Sequence, residues 1–152
     1  MSGYYISKLA GQRLQQVYAI ANPRVQRYLD AEIDHVASFL CPADSILELG
    51  CGYGRVLARL APHVQRAVGI DTSVESLNYG RSLGILQANC ELTCADAAHL
   101  PNPDNSFDVT ICIQNGISAF KVDRLQLVRE SVRVTKPGGR VLFSTYAECF
   151  WP

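Results

Sequence analysis

The chain has 152 residues, enough for one well-buried domain and too few for two ordinary ones. Its 14 Lys and Arg balance 14 Asp and Glu to a formal net charge of zero, and no basic run is present to neutralise a phosphate backbone, which argues against a nucleic-acid partner. The apolar stretches are strand-length rather than membrane-length and no basic-then-apolar leader opens the N-terminus, so the expectation is a cytoplasmic protein with no membrane partner.

Two helical patterns come first. "SKLAGQRLQQVYAIA" spaces Leu9, Leu14, Val17 and Tyr18 helically, although Gly11 weakens its start. In "NPRVQRYLDAEIDHVASFL", Asn22 is a natural cap and Pro23 a first-turn residue. Val25, Tyr28, Leu29, Ile33, Val36, Ala37 and Leu40 then form an apolar stripe, and Pro42 bars continuation. Residues 1–44 thus read as a helical extension or lid.

From residue 45 short apolar runs alternate with helices. "SILEL" is a strand, followed by a glycine loop and a helix from about Arg55 to Leu60. "AVGID" is the second strand, followed by the helix "SVESLNYGRSLG", with Ser73 as cap and Gly84 as stop. "CELTCAD" is the third strand, ahead of a loop rich in Pro, Asn and Asp. "FDVTICI" is the fourth, apolar throughout as a strand covered on both faces must be. The helix "DRLQLVRESVRVT", the turn "KPGG" and a fifth strand, "RVLFSTY", complete the order. Strands separated by helices predict a doubly wound α/β domain, mostly parallel and Rossmann-like, over residues 45–152.

The six cysteines, at 41, 51, 90, 94, 112 and 149, include no C-x-x-C. Cys90 and Cys94 lie close together but lack the two further ligands a metal needs, so the expectation is reduced, buried thiols and no metal.

The informative stretch is "ILELGCGYGRV". In doubly wound sheets ligands bind at the carboxyl ends of the strands, beside strand 1, and there Gly50, Gly52 and Gly54 alternate with Cys51 and Tyr53. Glycine permits positive φ and lets a ligand lie on bare backbone whose N–H groups face it. A tight turn would need one glycine, not three. The dinucleotide fingerprint is G-x-G-x-x-G, but here Arg55 stands where its last glycine belongs, and no Gly-Lys-Ser/Thr follows for a phosphate loop.

"ELGCGYG" resembles motif I of the class I S-adenosylmethionine-dependent methyltransferases. The resemblance continues through "GIDTS", "CADAAHLP", "FDVTICIQNGIS" and "KPGGRVLF", in order, from residue 45 to about 146. It implies S-adenosyl-L-methionine as cofactor, held at Gly50, Cys51, Gly52 and Gly54, at Asp71 and Thr72, at Asp96 and Ala97, and at Gln114 and Asn115. A carboxylate at Asp71 can accept from both ribose hydroxyls, although NAD carries the same diol and an aspartate beside Ser73 could simply start a helix. Asp96 would take the adenine amino group and the Ala97 N–H a ring nitrogen. Glu48, costly in a strand unless paired, would lie near the cofactor's cationic amino-acid end. Gln114, Asn115 and Gly116 would border the methionine portion and the acceptor pocket. Tyr4 and Tyr5 sit in the segment that folds over the cofactor in many relatives. Of His35, His63 and His99, only His99 falls near the cleft, and no general base stands out.

The implied chemistry is in-line transfer of an activated methyl to a nucleophile, with the protein positioning and desolvating the reactants. "QNGI" departs from the Asn/Asp-Pro-Pro-aromatic motif of base-amine methylation and offers no Pro-Cys nucleophile, leaving a small molecule or lipid as acceptor. The chain stops without residues for the family's C-terminal helix and antiparallel hairpin. That would expose an edge of strand 5 through which a homodimer could form. Two readings compete: a non-catalytic nucleoside-binding module acting through a partner, and an NAD-dependent oxidoreductase, disfavoured by the glycine spacing.

Overall fold

Local signals in the chain set the boundaries of its elements. The structure, a computed structural model, describes residues 10–114 and 116–146. Helix α1 spans Gln12–Ala19, and Gly11, at φ 56°, precedes it as the start rather than sitting inside it. Helix α2 spans Pro23–Ala37, with the Asn22 side chain accepting from the Val25 N–H at 3.0 Å and Leu29, Ile33 and Val36 buried. The expected contributions of Leu9, Tyr4, Tyr5, Asn115 and Cys149 lie outside the described residues.

The α/β pattern follows in the expected order. β1 is Ser45–Leu49, α3 Arg55–Leu60, β2 Arg66–Asp71, α4 Val74–Ser82, β3 Cys90–Cys94 and β4 Phe107–Cys112. After β4 comes a one-turn helix not anticipated from the sequence, α5, Gly116–Ala119. Then come α6, Arg124–Val134, and β5, Thr135–Phe143. Ser73 caps α4 by accepting from the Ser76 N–H.

All five strands run parallel in the order β3-β2-β1-β4-β5, so β1 is central and the order reverses beside it. Alternation along β1 sorts its residues to two cores. Ile46 joins Ile33, Val36, Leu57, Leu60, Leu77 and Val109 on one face, while Leu47 and Leu49 join Val68, Ile70, Phe107, Leu127 and Val134 on the other. Glu48 shares the side of Ile46 at the carboxyl end, which aims a carboxylate into the space beneath the N-terminal helices.

The "KPGG" turn is a register break inside β5. Phe107 pairs with Thr135 and Val109 with Arg140, so residues 136–139 loop out opposite Asp108. The thiol expectation needs correction: Cys51 and Cys112 are buried, but Cys41 and Cys94 are exposed, and all five described cysteines are free. No helix among the described residues is long and apolar enough to cross a membrane, and no three of their His, Cys, Asp and Glu side chains cluster as metal ligands would.

Candidate functional site

Above the carboxyl ends of β1, β2 and β4 lies a cavity of about 250 Å³. Its floor is the glycine loop, at Gly50, Cys51 and Gly52. Glu48 and Asp71 supply carboxylates, Gln114 and Phe120 one wall, and Leu14, Val17 and Tyr18 of α1 the roof. These α1 side chains lie over the glycine loop, with Leu14 nearest Gly52.

The glycines do different work. Gly50, Gly52 and Gly54 all have positive φ, 74°, 55° and 82°. A Cβ on Gly52 would lie 2.9 Å from the end of Leu14, and one on Gly50 2.9 Å from the Phe120 ring, so both meet the cavity's covering side chains. A Cβ on Gly54 would instead strike Leu86 and touch Leu92 of β3, and Gly54 is outside the cavity lining, so it serves close packing of the loop against the core. The N–H groups of all three loop glycines and of Cys51 have acceptors within the protein. Gly50 and Cys51 donate to the Ile70 carbonyl at 2.8 and 2.9 Å, Gly52 to Asp71 at 2.9 Å, and Gly54 to the Cys51 carbonyl at 2.9 Å. With those four amides already bonded, Gly50, Cys51, Gly52 and Gly54 offer backbone surface rather than the free N–H groups a pyrophosphate requires.

Asp71 ends β2 with one oxygen on the Gly52 N–H and the other on the Ser73 N–H at 2.7 Å. It thus fastens the loop and the start of α4 while bordering the cavity. Burial pushes its carboxyl up, against the pull of those amides. Glu48 is only 5% exposed, and burial pushes its carboxyl up to about 8, with the Arg55 guanidinium pulling down and Asp71 pushing further up. Four buried side-chain polar atoms lack a partner among the described residues, and two of them, Glu48 Oε2 and Arg55 Nε, belong to residues lining this one cavity. Buried polar groups are normally bonded, so paired orphans at one place mark a site built for something else.

Arg55, the first residue of α3, joins three walls. Its guanidinium donates to Gln114 Oε1 and stacks 4.2 Å from the Tyr18 ring centroid. Gln114, at the unusual φ of 59°, also donates its backbone N–H to the Ser144 hydroxyl at 2.7 Å and its side-chain amide to the Leu29 carbonyl. Tyr18, pushed up to about 12 by desolvation, packs 6.4 Å from Tyr53, which in turn meets Tyr79 edge-on at 6.1 Å.

Of the residues expected in the site, Glu48, Gly50, Cys51, Gly52, Asp71, Gln114 and Gly116 line the cavity. Thr72, Asp96 and Ala97 do not. Asp96 is held below the usual carboxylate range by the Ala98 amide and the nearby His99 ring, which outweigh a small desolvation push, and Ala97 is buried beneath it. Sequence reasoning missed Arg55 and, although it read residues 1–44 as an extension or lid, did not single out Leu14, Val17 and Tyr18 as site residues. A signal existed for Arg55: a cation at the first position of a helix opposes the macrodipole, a local rule broken beside a ligand loop.

A carboxylate pair beneath bare glycine backbone, at the point where a parallel sheet reverses its strand order, defines a nucleoside-binding α/β domain without a phosphate cradle. The sequence profile of the methyltransferase domain family matches residues 46–139, and the chain belongs to the class I S-adenosylmethionine-dependent methyltransferases, which assigns S-adenosyl-L-methionine as its cofactor. It is 33% identical over 103 residues to the malonyl-[acyl-carrier protein] O-methyltransferase of Yersinia pestis, covering 68% of this chain and 37% of that protein. It is 33% identical over 108 residues to the demethylmenaquinone methyltransferase of Corynebacterium urealyticum, covering 71% and 44%. The crystal structure of the YcgJ protein of Bacillus subtilis superposes with a TM-score of 0.68 at 29% identity, covering 78% of this chain and 50% of that one. The chain spans about half or less of the length of these relatives.

Proposed function

We propose that this chain is the cofactor-binding core of an enzyme that methylates a small molecule or lipid. The observation that carries this is the combination of two buried carboxylates with a glycine loop whose amides are already bonded. That surface suits a nucleoside carrying positive charge and disfavours one carrying a pyrophosphate. Bound S-adenosylmethionine supplies a methyl group already activated by its sulfonium charge, so the protein needs no electrophilic catalyst of its own.

The residues then bind, orient and exclude water. Asp71, which retains lone pairs beyond its two amide bonds, accepts ribose hydroxyls. Glu48 accepts from the cationic amino-acid end and ionises as that charge arrives, since an opposite charge offsets the desolvation that keeps it protonated. Gly50 and Gly52 let the ligand lie against the backbone, and Leu14, Val17 and Tyr18 close over it. Asp96, Ala97 and Thr72 stand farther out, at the ends of β3 and β2, where the adenine edge would be read. The acceptor class is supported by the two relatives, a malonyl-[acyl-carrier protein] O-methyltransferase and a demethylmenaquinone methyltransferase, together with a chain of zero formal net charge. The five free described cysteines support a reducing, cytoplasmic setting, and the outer edge of β5 offers a second copy a strand to pair with.

Calorimetric titration with S-adenosylmethionine, S-adenosylhomocysteine and NAD tests the site. Both sulfur nucleosides should bind and NAD should not. NAD binding without a response to S-adenosylhomocysteine would remove the proposal.

A further inference from the structure

The chain's formal charge is zero, yet its unpaired cations collect in two places. Among the described residues, the side chains of Arg24, Arg27, Lys121, Arg124 and Arg129 are exposed and meet no carboxylate, carbonyl or ring. The other described Lys and Arg side chains are engaged within the protein. Arg24 and Arg27 lie in the first turns of α2, and the other three between Phe120 and the middle of α6. The acids of these stretches are used internally: Asp123 caps α6 through the Leu125 N–H, and Glu130 holds Arg133. Their free charge is therefore of one sign.

The same stretches carry large aliphatic side chains left in solvent. Val17 and Ile20 precede Arg24, with Ile20 82% exposed, and Leu125 and Val132 are interleaved with Arg124 and Arg129. Both stretches adjoin the cavity. Val17 lines it while remaining exposed, Tyr28 packs its ring 5.8 Å from that of the lining residue Tyr146, and Lys121 directly follows the lining residue Phe120.

We propose that these two stretches form a docking surface for an anionic lipid bilayer: the aliphatic tips enter the interface, the cations meet headgroup phosphates, and the cavity mouth turns toward the membrane. This rests on the methyltransferase reading above and narrows its acceptor to a lipid held in that bilayer. The expectation of no membrane partner came from span length, and a surface contact needs no span. Cations beside exposed aliphatics suit such an interface, because each group finds its own layer of it. A nucleic acid would call for aromatic platforms among the cations, whereas the exposed large hydrophobics of the described residues are all aliphatic. The hot spots of a protein partner favour Trp and Tyr, and Leu and Val are under-represented there.

Vesicle co-sedimentation of the 152-residue chain tests this, with phosphatidylcholine alone and with roughly a third phosphatidylglycerol added. The parent should bind only the anionic vesicles, and salt should release it. Each surface cation is worth roughly fivefold in affinity for such a membrane. Arg24→Gln combined with Arg27→Gln, and Arg124→Gln combined with Arg129→Gln, should therefore each weaken binding by more than about tenfold. Ile20→Ser should weaken it by less and leave the salt dependence unchanged. None of these residues lines the cavity, so S-adenosylhomocysteine affinity should stay within about twofold in every variant, which also reports folding. Equal binding to both vesicle types, binding to neither, or unchanged binding in both paired variants would overturn the proposal. So would capture of the parent by polyglutamate or transfer RNA in place of vesicles, which would assign the surface to an acidic protein or a nucleic acid. A parent that binds anionic vesicles but not S-adenosylhomocysteine would remove the methyltransferase reading and leave the docking surface upheld.

Discussion

The two ends of the sheet carry cavities of the same size, about 250 Å³ each, and the two differ in how their charged groups are satisfied. At the lower end, Asp108 accepts from the Ser45 N–H at 2.8 Å and from Lys136 Nζ at 2.9 Å, while Arg140 lies 5.1 Å over the Phe39 ring. Although partial burial pushes the Asp108 carboxyl up, the Lys136 ammonium and the Ser45 amide outweigh it and hold Asp108 low. None of the buried orphan atoms among the described residues belongs to a residue lining that lower cavity. At the upper end burial wins, Glu48 rises to about 8, and opposite charges stay unpaired. Volume does not separate the two ends; electrostatic satisfaction does.

The strongest way to break this comparison is to crowd the backbone at each end. A Cβ on Gly80 would lie 2.3 Å from the Tyr53 carbonyl oxygen, and one on Gly139 2.5 Å from that of Asp108. Overpacking against backbone of this kind costs about 3 kcal/mol, which outweighs the roughly 1 kcal/mol that alanine gains over glycine inside α4. Urea unfolding should therefore show both Gly80→Ala and Gly139→Ala strongly destabilised. Only Gly80→Ala moves Tyr53 and the loop, so only it should lose S-adenosylhomocysteine affinity at temperatures where both variants are folded. Equal losses would erase the distinction between the ends.

Next in size is Asp71→Ala. It removes a charged acceptor from the ligand and from two backbone amides, so affinity for S-adenosylhomocysteine should fall by at least about tenfold. Asp71→Asn keeps one acceptor and should lose less. Titration of the two variants checks the ordering, and parent-level affinity in both would reduce Asp71 to a fastener of the loop.

Glu48→Gln sharpens the comparison through pH. A carboxyl whose folded value lies above its unfolded one binds more protons in the native state, so its contribution is fully present below the unfolded value and is lost as pH rises toward about 8. Parent stability should therefore decline relative to Glu48→Gln between about pH 4.5 and pH 8. The relative change should exceed about 1.4 kcal/mol, the equivalent of one pKa unit. Denaturant midpoints at pH 5 and pH 8 decide it, and parallel pH profiles would show that the carboxylate is already compensated. Smallest of all, Lys136→Ala breaks a pair whose lysine side chain is 44% exposed, and should cost under about 1 kcal/mol without touching nucleoside affinity.

Much of this arrangement was legible beforehand where local chemistry decides. Asn22 and Ser73 cap as their residue types require, and the unbroken apolar run of β4 foretold a strand covered on both faces. The glycine loop was legible as a ligand floor but not in its detail. Whether a backbone amide faces a ligand or a neighbouring carbonyl depends on the Ile70 and Asp71 acceptors of the adjoining strand, and no spacing within the loop records that pairing. The roof was hidden for the same reason: Leu14, Val17 and Tyr18 read as an ordinary amphipathic stripe, and only the docked helix shows which surface they meet. The bulge at 136–139 looked like a turn because Pro137 and Gly138 make one locally, while the strand pairing resumes beyond them.

The strand order sets a timetable for synthesis. β1 pairs with β2, Ser45 with Arg66, but its other neighbour, β4, follows much later, joining Ile46 to Val109. At roughly 5–20 residues per second on the ribosome, the central strand waits several seconds after its own synthesis with one apolar edge unpaired. Fully buried in the finished protein, Ile46 and Leu47 belong to the segment most in need of protection while the chain is still being made. Slower elongation between residues 50 and 107 would lengthen that exposure and lower the yield of native protein.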